Sequence, residues 1–119
     1  MEEEVRHALI VEDEVIIALG LRTIMRSLGF SQITTVGSIE ELQKLRDDHF
    51  DLAIFDVSLP DGSSHKLAES FSRRGIPTII HSGHVLPTEI SLNGNMHFLA
   101  KPSSRAEIKS LIKSIVDVA

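Results

Sequence analysis

Apolar residues along this chain follow two alternating rhythms. Short unbroken runs, Ala8-Leu9-Ile10-Val11, Leu52-Ala53-Ile54-Phe55, Thr78-Ile79-Ile80 and Phe98-Leu99-Ala100, read as strands buried on both faces. Between them the apolar positions recur at helical spacing. Ile17, Leu21, Ile24 and Leu28 fall at i, i+4, i+7 and i+11, a stripe closed by Gly29. A second strand, roughly Gln32 to Val36, alternates weakly and is expected near an edge. Ser38 is the expected N-cap of a short helix carrying Ile39, Leu42 and Leu45, with Glu41 completing a capping box. Asp51 to Phe55 forms the third strand, and Pro60-Asp61-Gly62 turns the chain out of it. Leu67, Ala68 and Phe71 give a third helix its apolar face before Gly75, and Ile76 to His81 makes the fourth strand. Gly83 to Asn95 is the least regular stretch, so a fourth helix there is expected to be short or irregular. Met96 to Ala100 is the fifth strand. Ser103 is expected to cap a last helix with Ile108, Leu111, Ile112 and Ile115 on one face.

Strand and helix patterns that alternate from end to end predict a doubly wound α/β fold. The 119 residues suffice for one domain spanning 1–119, with no repeat, linker or output domain. A formal net charge of -5, with no basic run longer than Arg73-Arg74, argues against nucleic acid as a partner. The absence of cysteine excludes a disulfide framework and a thiolate metal site, and fits a reducing compartment. The acidic N-terminus is no signal peptide, and no apolar stretch approaches the ~20 residues needed to cross a bilayer. A cytoplasmic protein is expected. A chain from Met1 to a helix near Ala119 reads as a complete small protein as readily as an excised piece of a longer one.

The chemistry lies at the carboxyl ends of the apolar runs. Glu12-Asp13, Asp56, Ser82 and Lys101-Pro102 each follow or close a strand, and ligands of open α/β sheets bind along that shared edge. A nucleotide-binding protein would place glycines after its first strand, whereas here two carboxylates stand there. Like charges ~4 Å apart cost about 4 kcal/mol at an effective dielectric of ~20. With Asp56 added, either some pKa values rise or a divalent cation neutralises the group. Mg²⁺ suits such an oxygen-only site and takes its remaining oxygens from water and a phosphoryl group. Glu12 and Asp13 alone could instead cap the following helix. Asp56 is placed to act as a nucleophile that forms an acyl phosphate, with Lys101 offsetting charge on the transferring oxygens. Alone it could be a strand-end residue opening the turn. Pro102 disfavours helix at Lys101 and offers a possible cis bond. His81-x-x-His84 brackets a turn and has no third imidazole at matching spacing, so zinc is not expected.

Together these motifs resemble the CheY-like receiver domain of bacterial response regulators. The resemblance rests on Leu-Ile-Val-Glu12-Asp13-Glu, Phe-Asp56-Val-Ser-Leu-Pro60-Asp-Gly62, His-Ser82-Gly83 and Phe98-Leu-Ala-Lys101-Pro102, and spans nearly the whole chain. It implies a flavodoxin-like five-stranded parallel sheet in the order 2-1-3-4-5. It further implies a phosphoacceptor role for Asp56 in a two-component phosphorelay, with a histidine kinase or histidine phosphotransfer protein as donor. By the same resemblance Asp13 and Asp56 ligate Mg²⁺, Glu12 acts mostly through water, and the Ser58 backbone carbonyl completes the site. Lys101 binds the acyl phosphate, Ser82 swings in to contact it, and Phe98 is the switch aromatic. Three departures stand out. Ser82 and Lys101 are 19 positions apart, about three fewer than usual for the family. Gly94-Asn-Met-His97 replaces the usual acidic run, and Phe98 lacks a hydroxyl.

The expected function is a stand-alone phosphoprotein that signals by protein–protein contact or drains phosphate from a relay, and is not a turnover enzyme. Two alternatives remain. One is a receiver-like binding module that does not switch. The other is an aspartate-nucleophile phosphatase, which needs a second Asp two positions after the nucleophile, where this chain has Ser58.

Overall fold

A computed structural model describes residues 6–46, 49–83 and 95–116. In chain order the elements are β1 (His7–Val11), α1 (Val15–Ser27), β2 (Gln32–Val36), α2 (Ile39–Gln43), β3 (Leu52–Phe55), β4 (Ser58–Leu59), β5 (Gly62–Ser63), α3 (His65–Arg73), β6 (Thr78–Ser82), β7 (Met96–Ala100) and α4 (Arg105–Ile115). The five long strands form one sheet in the order β2-β1-β3-β6-β7, all parallel. This is the expected 2-1-3-4-5 order, with β6 and β7 as fourth and fifth long strands. The stretch in which a shortened fourth helix was expected, and His84 with it, lies in 84–94, outside the described residues.

The apolar runs pair in this way because a central strand must bury both faces, and successive side chains point to opposite sides. Leu9, Val11, Ala53, Phe55 and Ile80 face one layer, with Leu42 from α2 and Ala68 and Phe71 from α3. Ala8, Ile10, Leu52, Ile54 and Ile79 face the other, with Leu21, Ile24 and Met25 from α1 and Ile108 and Ile112 from α4. Phe55 meets Phe71 edge to face at 5.3 Å between ring centroids, which holds α3 against the strand that ends in Asp56. Gly29 ends α1 at φ +98°, in the left-handed region that glycine enters without steric penalty. Among the described residues, no helix is long and apolar enough to cross a membrane.

Two capping expectations need correction, and the expected turn gains a further role. Ser38 does cap α2 by accepting from the Glu41 N–H at 3.1 Å. The Glu41 carboxylate, however, accepts from the N–H of Gly37 at 2.6 Å, so the reciprocal half of the box is displaced by one residue. Asp61 supplies what α2 still needs, its two oxygens accepting from Ile39 and Glu40 N–H groups at 2.9 and 3.0 Å. Those bonds lower the Asp61 pKa. The Pro60-Asp61-Gly62 turn is therefore the tip of a small β4–β5 hairpin clamped to the start of α2. At α4 the cap is Ser104, not Ser103. Ser104 and Glu107 form the reciprocal box at 3.1 and 2.8 Å, while the Ser103 hydroxyl donates to the Ala100 carbonyl. The box requires a Glu three residues after the cap, a spacing that Ser104 has and Ser103 lacks. Ser104→Ala is expected to lower unfolding free energy by about 1 kcal/mol in urea titrations, a loss typical of a removed N-cap.

Candidate functional site

Parallel register places the strand ends together. Val11 stands opposite Val36 and Phe55, Phe55 opposite Ile80, Ile80 opposite Phe98, and Ser82 opposite Ala100. The residues that follow therefore emerge along one edge. Backbone bonds extend the ladder past the strands: Glu12 N–H to the Val36 carbonyl at 2.9 Å, Asp56 N–H to Val11 at 2.7 Å, and Lys101 N–H to Ser82 at 3.1 Å. The Lys101–Pro102 peptide is cis.

One carboxylate oxygen from each of Glu12, Asp13 and Asp56 lies within 4.8 Å of the others. Glu12 and Asp56 are buried, Asp13 exposed. The Lys101 Nζ sits 2.8 Å from Glu12 Oε1 and 3.1 Å from Asp56 Oδ2, and donates a hydrogen bond to the latter. One ammonium thus faces three carboxyl groups. Burial raises the Glu12 pKa, despite the opposing bonds from Lys101 and the Glu14 N–H, and the nearby Asp56 charge adds to the rise. Burial alone would lower the Lys101 pKa, but its bonds to Glu12 and Asp56 outweigh that and raise it.

Asp56 is held from three directions. Its Oδ1 accepts from the Ser58 N–H at 3.1 Å, its Oδ2 from Lys101, and its own carbonyl accepts from the buried Ser64 hydroxyl at 2.8 Å. Ser64 is a supporting residue that strand and helix periodicity gave no reason to select. An open groove of about 550 Å³ runs over the site, lined by Asp13, Glu14, Asp56, Ser58, Gly83 and Lys101. The donor set is oxygen-only with an unbalanced negative charge, and one carboxylate stands in the open. These properties fit a hard divalent cation that keeps several waters.

The expected residues are thus brought together, in differing roles. Glu12, Asp13, Asp56 and Lys101 make the polar cluster, and Ser58 lines its groove. Ser82 is buried at the end of β6, beside the groove residue Gly83. Phe98 is half-buried and packs against the α2–α3 side of the core, with its neighbour Ile80 fully buried there. His81 lies on the opposite face, buried toward α1 and α4. Among the described residues the acidic trio is the one cluster able to hold a metal, and it contains no histidine.

Comparison with known proteins agrees with this geometry. The sequence matches the response regulator receiver domain over residues 8–113. A CheY-like receiver domain protein from Methanospirillum hungatei is 26% identical and superposes with a TM-score of 0.80, with 93% of each chain covered. A CheY-like receiver domain from Methylobacillus flagellatus is 25% identical at a TM-score of 0.70, covering 95% of this chain and 100% of that one. The receiver domain of the sensor histidine kinase PA1611 from Pseudomonas aeruginosa shares the fold, with 21% identity, a TM-score of 0.71, and 94% and 98% of the two chains covered. It holds a magnesium ion in its active-site cleft. No curated protein matches the chain. The chain belongs to the response regulator receiver domain family, the receiver domains of two-component systems.

The electrostatics lead to two expectations. Lys101→Met leaves three carboxyl groups uncompensated, which should destabilise the metal-free protein by roughly 3 kcal/mol in urea titrations. Because the lysine also repels a cation, the same change should tighten Mg²⁺ binding measured calorimetrically. His81 is the second. Burial, and to a lesser extent the Lys101 charge, lowers its pKa from 6.5 to about 4. A depressed folded-state value gives stability that is complete above 6.5 and is lost as pH falls toward 4, because the unfolded chain takes up the proton first. The full shift corresponds to ~3 kcal/mol, reduced to about 2 because the ring borders a solvent-accessible cavity. Urea titrations should show the wild type losing about that much more than His81→Phe over this range.

Proposed function

We propose that this receiver accepts a phosphoryl group on Asp56 from a phosphohistidine of a histidine kinase or histidine phosphotransfer protein, with Mg²⁺ as cofactor. The phosphorus–nitrogen bond to the donor imidazole breaks, a bond from an Asp56 carboxylate oxygen to phosphorus forms, and the departing imidazole keeps the bond's electron pair. The observation that carries this reading is Asp56 held between Lys101 and the Ser58 N–H, at the floor of a groove whose rim includes Asp13. Asp13 and Asp56, with the Ser58 carbonyl and water-mediated help from Glu12, would hold the ion. Its charge would offset that of the phosphoryl oxygens. Lys101, already bonded to Asp56, is positioned to contact the acyl phosphate.

The donor must approach over the groove, and α1 offers it a surface. Val15, Ile16 and Leu19 are 69%, 85% and 58% exposed just beyond Glu14, which itself lines the groove. Apolar residues clustered in this way favour contact with another protein.

Phosphorylation adds roughly two negative charges and new acceptor oxygens beside Ser82. Ser82 would turn toward them, and half-buried Phe98 would repack by steric means alone. A differential of about 3 kcal/mol between the two states shifts a minor conformation more than a hundredfold. Output is then protein–protein contact or removal of phosphate from the relay, in the cytoplasm, without turnover of a small substrate. The phosphatase alternative lacks support, because the residue two positions after Asp56 contributes a backbone N–H and a hydroxyl rather than an acid.

Incubation with Mg²⁺ and acetyl phosphate, followed by intact mass, should show a gain of one phosphoryl group that Asp56→Ala abolishes. Omitting Mg²⁺ should suppress it strongly. A gain that persists in Asp56→Ala, or no gain from any acyl-phosphate or phosphohistidine donor, would sink this assignment. Partner capture that is indifferent to a beryllofluoride mimic would favour the non-switching module.

A further inference from the structure

Strand β6 carries a group that phosphoryl transfer does not use. His81 follows Ile79 on the sheet face packed against α1 and α4, is 4% exposed, and among the described residues neither ring nitrogen has a hydrogen-bond partner. Buried polar groups are nearly always partnered, so an imidazole without a bond at either nitrogen calls for a ligand or a solvent molecule. The ring borders a solvent-open cavity of about 320 Å³ between α1 and the start of α4. Ile17, Leu21 and Ile24 from α1 and Ile108 from α4 make its aliphatic side, and Lys101, Ser103 and Arg105 border the other.

Gly20 is an independent sign that this space is kept open. It lies in the interior of α1 and lines the cavity. Glycine there weakens a helix relative to alanine. Neither backbone nor packing demands it, for its φ is not positive and an added Cβ would meet nothing within 4 Å. A larger residue would project into the space beside His81.

We infer that the α1–α4 cavity binds a compact, uncharged molecule whose apolar body lies against Ile17, Leu21, Ile24 and Ile108 and whose hydroxyl group hydrogen-bonds His81. The volume is about twice the ~150 Å³ that accommodates benzene, enough for one substituted ring. His81 is neutral at pH 7, with its pKa near 4, so each nitrogen is either a donor or an acceptor, and a hydroxyl serves both. A charged head fits less well. The Lys101 ammonium is committed to Glu12 and Asp56, and Arg105 is exposed, so an anion drawn to it would leave His81 unpartnered. A cationic head would be repelled by Lys101.

The test is titration of p-cresol into the full chain, followed by ¹H–¹⁵N correlation spectra, with toluene and benzoate as comparison probes. Saturable shifts are expected at Gly20, Leu21, His81 and Ser103, with a dissociation constant of about 1 mM or tighter. Toluene and benzoate should each bind about tenfold more weakly than p-cresol. His81→Phe should remove the advantage of p-cresol over toluene. Gly20→Leu should abolish binding of both while leaving Asp56 phosphorylation intact, and it tests the site even if His81→Phe fails to fold. The inference is overturned if p-cresol produces no shifts around the cavity, as would follow if water alone fills it. It is equally overturned if benzoate binds tighter than p-cresol, or if Gly20→Leu leaves p-cresol affinity unchanged.

Discussion

An ammonium held 2.8 Å from one buried carboxylate and 3.1 Å from another is the contact on which this site depends. Without Lys101, three carboxyl groups converging within 4.8 Å would repel one another at several kcal/mol per pair. With it, the cluster is tolerable but still short of positive charge, and burial keeps the Glu12 pKa raised. That shortage suits the groove to a divalent cation. A fully balanced site would be more stable and would have less use for an ion.

The sheet makes this arrangement possible at low entropic cost. Glu12, Asp56 and Lys101 are far apart in the chain, yet each follows directly on a strand whose register is set by two-sided burial. A slip of one residue would turn an entire strand's apolar set to the wrong layer, so core packing enforces the position of the site. Bonds from Asp56, Glu12 and Lys101 backbone N–H groups to neighbouring strands carry that order one residue past the sheet. The β4–β5 hairpin continues it on the far side of Asp56. Ser64 anchors the Asp56 carbonyl, while Asp61 ties the hairpin to α2.

Strand β6 borders two separate spaces. Its end brings Ser82 up to Gly83, which lines the acidic groove, while His81 lies buried against α1 and α4. Lys101 is shared, since its Nζ reaches Asp56 while the residue also borders the cavity beside His81. The two spaces therefore have a wall in common.

Much of this was legible in the chain itself. Unbroken apolar runs and 3.6-residue stripes determined the strands, the helices and the doubly wound class, because those periodicities report which faces must leave water. Residue type at the strand ends then located Glu12, Asp13, Asp56 and Lys101, since the carboxyl edge of such a sheet is a single place. Local caps were less legible where two candidates stood side by side: Ser103 and Ser104 differ only in which has Glu107 three residues on, and Glu41 found Gly37 one residue beyond the expected partner. Tertiary structure alone decided that Asp61 would close the start of α2, that Ser64 would hold Asp56, and that His81 would face an open space beside Gly20. Those outcomes depend on distances between segments remote in sequence, which periodicity does not encode, whereas the burial of a strand or helix face is written residue by residue along the chain.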